Sequence, residues 1–148
     1  MNSDMPPSLS VAPRRYVWHG RVYFGDTDAA GVVYHGRYVN WMEASRIDFL
    51  SDHEMPYSGF VAQHIALMPV SVNLIYKLPL KFEDKFSIQL SIDWVKRASV
   101  QIRNEFFLNG RMTTLGTVVL ACVDDVKWRP RALPSDLWHL FEAHKRHE

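Results

Sequence analysis

Between about residues 70 and 123, apolar and polar side chains alternate with a period of two, and no helical pattern interrupts them. Successive side chains of a β-strand point to opposite faces, so this period is typical of half-buried strands. The apolar positions form three sets: Val70, Val72, Leu74, Tyr76 and Leu78; Phe86, Ile88, Leu90, Ile92 and Trp94; and Val100, Ile102, Phe106 and Leu108. Asn109-Gly110 predicts a tight hairpin, because both residues tolerate positive φ, and a last strand is predicted from Arg111 to Val123. The segment therefore predicts consecutive antiparallel strands.

One further strand and one long helix are predicted before this segment. The strand is predicted from Arg15 to Gly25, where apolar or small residues alternate with polar ones. The apolar or small positions are Trp18, Gly20, Val22 and Phe24. From about Tyr34 to Asp52 the spacing becomes helical. A polar row contains Arg37, Asn40, Glu43 and Arg46, and the apolar remainder contains Tyr38, Val39, Trp41, Met42, Ile47, Phe49 and Leu50. So wide an apolar face predicts a largely buried helix.

The order of these elements predicts an α+β layer architecture. A turn-rich stretch around Pro56, Ser58 and Gly59 separates the helix from the run of strands, and a short helix capped by Ser135 is predicted near the end. One long helix is followed by four or five antiparallel strands, and we expect the helix to cover one face of the sheet that these strands form. A parallel, doubly wound fold is disfavoured.

Length and composition indicate a single ordinary globular domain. The 148 residues can bury one core, and we expect a flexible leader at 1–14 and a single domain at 15–148. A net charge of +1 argues against a nucleic-acid partner. The one cysteine excludes an internal disulfide, the start has no signal-peptide pattern, and no apolar run approaches the roughly 20 residues of a membrane span. We therefore expect a cytoplasmic protein without integral membrane contact.

The chemistry is expected at Asp26-Thr27-Asp28, which lies between the first strand and the long helix. Glycine-rich phosphate loops, paired cysteines, zinc-spaced histidines and a serine elbow are all absent from the sequence. A calcium loop starting at Asp26 would need Glu at its twelfth position, where Arg37 stands, so no metal site is expected. The nucleophile loop of a magnesium-dependent phosphatase remains a weaker alternative, and plain turn-capping aspartates remain another.

The longer string from Val22 to Tyr38, VYFGDTDAAGVVYHGRY, resembles the signature of the 4-hydroxybenzoyl-CoA thioesterase family, especially its Tol-Pal-associated acyl-CoA thioesterase branch. The resemblance extends from about Tyr16 to the segment at 129–134. It implies a hotdog fold, in which an antiparallel sheet of five to six strands wraps around a long central helix. This fold agrees with the element order predicted above. The resemblance also implies hydrolysis of acyl-CoA thioesters without a cofactor.

The resemblance implies roles for three residues of the motif. Asp28 corresponds to the catalytic carboxylate, as nucleophile or as general base, and Asp26 corresponds to a loop-shaping residue. His35 corresponds to the oxyanion position, through its backbone N–H or its side chain, since amides at a helix start can stabilise a developing negative charge. Tyr34 and Tyr38 flank the first helical turn and are candidates for acyl contacts. A thiol leaving group with a pKa of about 8.5 departs without strong acid assistance, so this small set is chemically sufficient.

The CoA portion of the substrate carries phosphate charges and needs local cations. Members of the family that the motif resembles have a turn of basic, small and hydroxyl-bearing residues at the position of Lys96-Arg97-Ala98-Ser99. The resemblance therefore implies that Arg97 and Ser99 bind the CoA portion. The cluster of Lys127, Arg129 and Arg131 is interpreted as solvated surface charge. Glu43 is interpreted as structural.

The leading hypothesis is an acyl-CoA thioesterase that works as a homodimer or homotetramer, because one helix over one sheet leaves strand edges exposed. A short aliphatic acyl-CoA, an aromatic acyl-CoA and an acyl carrier protein conjugate all remain possible substrates. The alternatives are a noncatalytic acyl-CoA-binding or scaffold protein of a cell-envelope complex, and the magnesium-dependent phosphatase.

Overall fold

The computed structural model describes residues 15–146, so the leader predicted at 1–14 lies outside the described residues. The six strands are β1 (Tyr16–Arg21), β2 (Ile65–Tyr76), β3 (Lys85–Val95), β4 (Ser99–Leu108), β5 (Arg111–Asp124) and β6 (Arg129–Pro130). The three α-helices are α1 (Arg37–Asp52), α2 (Tyr57–Ala62) and α3 (Ser135–Ala143), and a 3₁₀ turn spans Phe24–Asp26.

All six strands belong to one antiparallel sheet with the order β1-β3-β4-β5-β2, and β6 pairs with the end of β5. The two edge strands are therefore β1 and β2. The Asn109-Gly110 hairpin between β4 and β5 is confirmed, with φ angles of 51° and 80°. The α+β fold class, with five to six antiparallel strands around a long helix, is confirmed.

The core lies between α1 and the inner face of the sheet. Six helix residues are buried, namely Tyr38, Trp41, Met42, Ser45, Phe49 and Leu50. The facing strand residues include Ile88, Leu90, Ile102, Phe106, Val118 and Leu120, all 2% exposed or less. At Gly116 a Cβ atom would lie 2.7 Å from Met42 Sδ, so the missing side chain allows α1 to approach β5. The predicted largely buried helix is confirmed, although Val39 is 40% exposed and narrows the buried face.

The boundaries around the motif differ from the prediction. The first strand ends at Arg21, and Phe24 is 77% exposed because the chain leaves the sheet for the 3₁₀ turn. The long helix begins at Arg37, three residues later than predicted. Tyr34 therefore lies in the loop before α1. This loop contains Asp28 and His35, the two residues with a predicted catalytic role.

Two other predictions fail for local reasons. The stretch around Pro56 forms the short helix α2, with Pro56 as its N-cap, instead of turns alone. Ser135 is the first residue of α3 and does not cap it, because Pro134 is the N-cap. Proline fixes φ and has no N–H to satisfy, which suits a helix start.

The strand predicted from Val70 is correct in type but wrong in burial. It begins at Ile65, and Val70 and Val72 are 61% and 43% exposed. The reason is position, since β2 is an edge strand with a register irregularity between Pro69 and Ser71. Its outer edge has no partner within residues 15–146.

Candidate active site

The loop that connects β1 to α1 is held at both ends by Asp26. This carboxylate is 6% exposed, accepts a 2.8 Å hydrogen bond from the Tyr23 N–H through Oδ2, and pairs through Oδ1 with Arg37 Nε at 2.7 Å. The backbone carbonyl of Asp26 accepts from the Tyr34 N–H at 2.9 Å. The side chain of Asp26 is thus fully engaged in shaping the loop.

Asp28 occupies a tight turn on the same loop and is exposed. Its Oδ1 accepts a 2.8 Å hydrogen bond from the Ala30 N–H, and its backbone bonds with Gly31 and Val32 at 2.9 Å close the turn. Gly31 has φ +81°, a conformation that a side chain disfavours. Within residues 15–146, no group donates to Asp28 Oδ2. The turn fixes the carboxylate through one oxygen and presents the other.

A pocket of about 350 Å³ opens beside Asp28, and the C-terminal end of β2 forms its second wall. It is lined by Asp28, Val32, Val33, His35, Tyr38, Tyr76, Lys77, Leu78 and Pro79. The structure therefore brings together three of the predicted site residues, Asp28, His35 and Tyr38. Tyr34 is 51% exposed and lies outside this lining.

His35 stands immediately before the N-cap of α1, Gly36. No side chain in the described part of the chain caps this helix start. The first amides of a 16-residue helix carry the positive end of its dipole, so they can bind a developing oxyanion. The exposed imidazole of His35 packs against Tyr34 with a centroid distance of 4.4 Å. His35 thus contributes to the pocket wall immediately before the helix start.

Tyr38 belongs to both the pocket wall and the core. It is 3% exposed and makes edge contacts with Trp41 and Phe106 at centroid distances of 5.7 and 5.2 Å. Burial raises the pKa of the Tyr38 phenol above its ordinary value, so this residue stays neutral. A neutral aromatic wall suits an apolar acyl group.

Arg97 and Ser99 lie far from Asp28 within one chain. The motif loop leaves β1 where Arg21 pairs with Lys85, at the start of β3, whereas Arg97 follows the other end of this 11-residue strand. At about 3.3 Å per residue, the two ends are roughly 35 Å apart. Arg97 is exposed, and its carbonyl accepts a 2.8 Å hydrogen bond from the Leu133 N–H.

The pocket also contains Tyr76 and Lys77, two residues for which no site role was predicted. Tyr76 follows the alternating pattern of β2 and was expected on its buried face. Lys77 is the next residue and has no distinguishing local signal. Contacts between the motif loop and the segment after β2 place them beside Asp28, since Val32 bridges Lys81 and the Val33 N–H donates to the Leu80 carbonyl at 2.9 Å.

A larger cavity of about 830 Å³ lies near β1 and does not include Asp28. Aromatic side chains, Trp18, Trp41 and Phe86 among them, form part of its wall. Its carboxylate is Asp26, which is already paired with Arg37. The smaller pocket is therefore the better candidate for the reaction.

Within residues 15–146, no group of three or more His, Cys, Asp or Glu side chains is placed to hold a metal ion. None of the helices in the same range combines the length and apolarity needed to cross a bilayer.

Comparison with known proteins gives consistent matches. The thioesterase-like superfamily matches residues 22–141. The acyl-CoA thioester hydrolase YbgC of Escherichia coli O6:H1 is 34% identical over 122 residues, which cover 81% of this chain and 90% of that protein. The solved structure of BH1999 gentisyl-coenzyme A thioesterase has a TM-score of 0.77 and 32% identity over 82% of this chain and 98% of its own. DHNA-CoA thioesterase from Staphylococcus aureus has a TM-score of 0.80 and 26% identity, with 88% of each chain covered.

Proposed function

The chain belongs to the thioesterase-like superfamily, a hotdog-fold family, and on that premise we propose that it hydrolyses a small acyl-CoA thioester to the free acid and CoA. The observation that carries this proposal is the position of Asp28, whose unpaired oxygen lies beside a pocket at the N-terminus of α1. A carboxylate and a set of polarised amides are the two elements that thioester hydrolysis needs.

Each proposed residue has one step in the reaction. The thioester carbonyl lies against the start of α1, where the His35 N–H stabilises the oxyanion. Asp28 either removes a proton from water as it attacks the carbonyl, or attacks directly to give an anhydride that water then hydrolyses. In both routes the carbon–sulfur bond breaks and CoA leaves as a thiolate. The low basicity of that thiolate makes a strong general acid unnecessary.

A second subunit would unite Asp28 with the basic turn. β2 has an apolar outer edge, on which Met68, Val70, Val72 and Ile75 are each at least 39% exposed. If two β2 edges pair antiparallel about a two-fold axis, the Ile65 end of one faces the Tyr76 end of the other. The Ile65 end lies beside Asp124 and the basic turn, and the Tyr76 end lies at the Asp28 pocket. We infer a homodimer, or a tetramer built from it, in which the partner's basic turn binds CoA.

Arg97 provides the test of the CoA contact. We predict that Arg97→Ala raises KM for acyl-CoA by about tenfold and changes kcat less, because a phosphate contact far from the thioester binds ground and transition states alike. The effect should shrink as salt is added. Lys145→Ala, which removes one exposed charge near α3, is the control and should leave KM unchanged. A normal KM with a collapsed kcat in Arg97→Ala would contradict the assignment.

The acyl group proposed first is a hydroxylated aromatic one. Two structural relatives are named for gentisyl-CoA and DHNA-CoA, and the pocket here combines the Tyr38 ring with the polar ends of His35 and Lys77. The test is a panel of acyl groups on CoA and on acyl carrier protein, followed by release of free thiol. Faster cleavage of benzoyl-type than of short aliphatic thioesters is the expected result.

The remaining assignments rest on the sequence. Membership of the Tol-Pal-associated branch is proposed from the motif at 22–38, and a cytoplasmic location is proposed from the single cysteine. The noncatalytic binding protein and the phosphatase are the two competing functions. Binding of acyl-CoA without thiol release would favour the first, and magnesium-dependent release of phosphate would favour the second.

A further inference from the structure

Tyr76 reaches the Asp28 pocket from the last position of β2, 41 residues from His35 in sequence. Its phenolic O–H donates a 2.8 Å hydrogen bond to the backbone carbonyl of His35. Its ring makes an edge contact with Tyr38 at a centroid distance of 5.2 Å. One side chain thus connects the edge strand to the peptide that leads into α1.

This hydrogen bond has an electrostatic consequence inside the pocket. The oxygen of a carbonyl is the negative end of a strong dipole, and the reaction places two negative charges nearby, on Asp28 and on the developing oxyanion. An uncapped His35 carbonyl would repel both charges, more strongly in a site from which substrate has displaced water. The Tyr76 hydrogen offsets that repulsion.

The same bond restricts the geometry of the loop. No side chain in the described residues caps α1, and the Tyr76 hydroxyl holds the peptide between His35 and Gly36 just before the helix. The His35 carbonyl and the Gly36 N–H belong to the same planar peptide, so fixing the carbonyl fixes the direction of that N–H at the start of α1. Donors for an oxyanion are effective only when they are held in place before the reaction.

We propose that Tyr76 is a positioning residue, whose hydroxyl holds and neutralises the His35 carbonyl so that the amides at the start of α1 stay aimed at the thioester oxygen. The inference rests on the proposed thioesterase function. Partial burial raises the pKa of the Tyr76 phenol above its ordinary value, so the group remains a donor over the whole range of a thioesterase assay.

Tyr76→Phe is the direct test, because it removes the hydroxyl and keeps the ring against Tyr38. We expect kcat to fall roughly tenfold, with KM changed less than about twofold and the melting temperature unchanged. The pH dependence of the rate should match that of the wild type. Sedimentation should show the same oligomer as the wild type.

Tyr57→Phe is the matched control. The Tyr57 hydroxyl also bonds to backbone, accepting from the Leu67 N–H at 3.0 Å, but it belongs to α2 and lies outside the Asp28 pocket. This variant should keep kcat whatever it does to the melting temperature.

Three results would overturn the inference: wild-type kcat in Tyr76→Phe, a loss of kcat that follows a loss of thermal stability, or a changed pH dependence of the rate, which would mean that Tyr76 takes part in proton transfer. Absence of thioester hydrolysis by the wild-type protein would instead overturn the proposed function itself. The two failures are therefore distinguishable.

Discussion

Asp28→Asn is expected to reduce thioester hydrolysis by a factor of about 10² to 10⁴, because the amide is neither a base nor a nucleophile. A role as nucleophile would put the loss at or above the upper end of this range. The amide oxygen can still accept the hydrogen bond from the Ala30 N–H, so the turn should persist. Steady-state rates on the best substrate of the panel, with melting temperatures, measure this effect.

Asp26→Asn is the control for that variant. Asp26 is buried and ion-paired, so its replacement leaves Arg37 without an ion-pair partner. We expect a loss of about 1 kcal/mol in the free energy of unfolding. The loss is small because Arg37 is 44% exposed, and solvent screens the charge of an exposed side chain. Any loss of activity should follow the fall in melting temperature. A stable but inactive Asp26→Asn protein would show that the two carboxylates have been assigned the wrong way round.

Val72→Lys is expected to give a monomer that loses about 10² in kcat/KM for acyl-CoA. Val72 is 43% exposed at the middle of the β2 edge, where a two-fold axis would bring the new lysines of two subunits together. Like charges opposed across paired edges prevent association. The monomer would keep Asp28 and lose the partner's basic turn, and each lost charged contact contributes about 1.5 to 3 kcal/mol.

The other edge strand supplies the control. Val17 on β1 is 44% exposed, so Val17→Lys adds the same charge at nearly the same exposure to an edge that the proposed dimer does not use. It should remain a dimer with wild-type kcat/KM. Sedimentation and acyl-CoA kinetics on both variants measure the effect. A fully active Val72→Lys monomer would remove the need for a composite site.

The fold was predictable where the chain pattern is local. Strands β3 and β4 alternate in burial over their first halves, because one face of each lies on the core, and the alternation breaks where residues 90–92 and 104–106 are all buried. The hairpin was predictable because Asn109-Gly110 tolerates the positive φ that the turn requires. These features depend on steric preferences that neighbouring residues set.

Burial of an edge strand was not predictable in the same way. Val70 and Val72 have the alternation of a buried strand, yet their exposure depends on which strand lies outermost, which is a property of the whole sheet. Helix α2 was missed because a single turn carries too few residues to show a period. Pattern alone does not contain this information.

The candidate site also contains residues that local sequence identifies and residues that only the folded chain brings together. Asp28 and His35 lie in one contiguous string, so the sequence could identify both. Tyr76 and Lys77 join them only through long-range contacts between the motif loop and the end of β2 with the segment after it. The distance between Asp28 and Arg97 emerged only from the strand directions.

The central claim, hydrolysis of an acyl-CoA thioester by Asp28, is tested most directly by one measurement. Free-thiol release from a benzoyl-type CoA thioester is followed for the wild-type protein and for Asp28→Asn, both with a metal chelator present. We predict rapid release by the wild type and a rate lower by at least about 10² for the variant. Equal rates for the two folded proteins, or no release by either, would contradict the account.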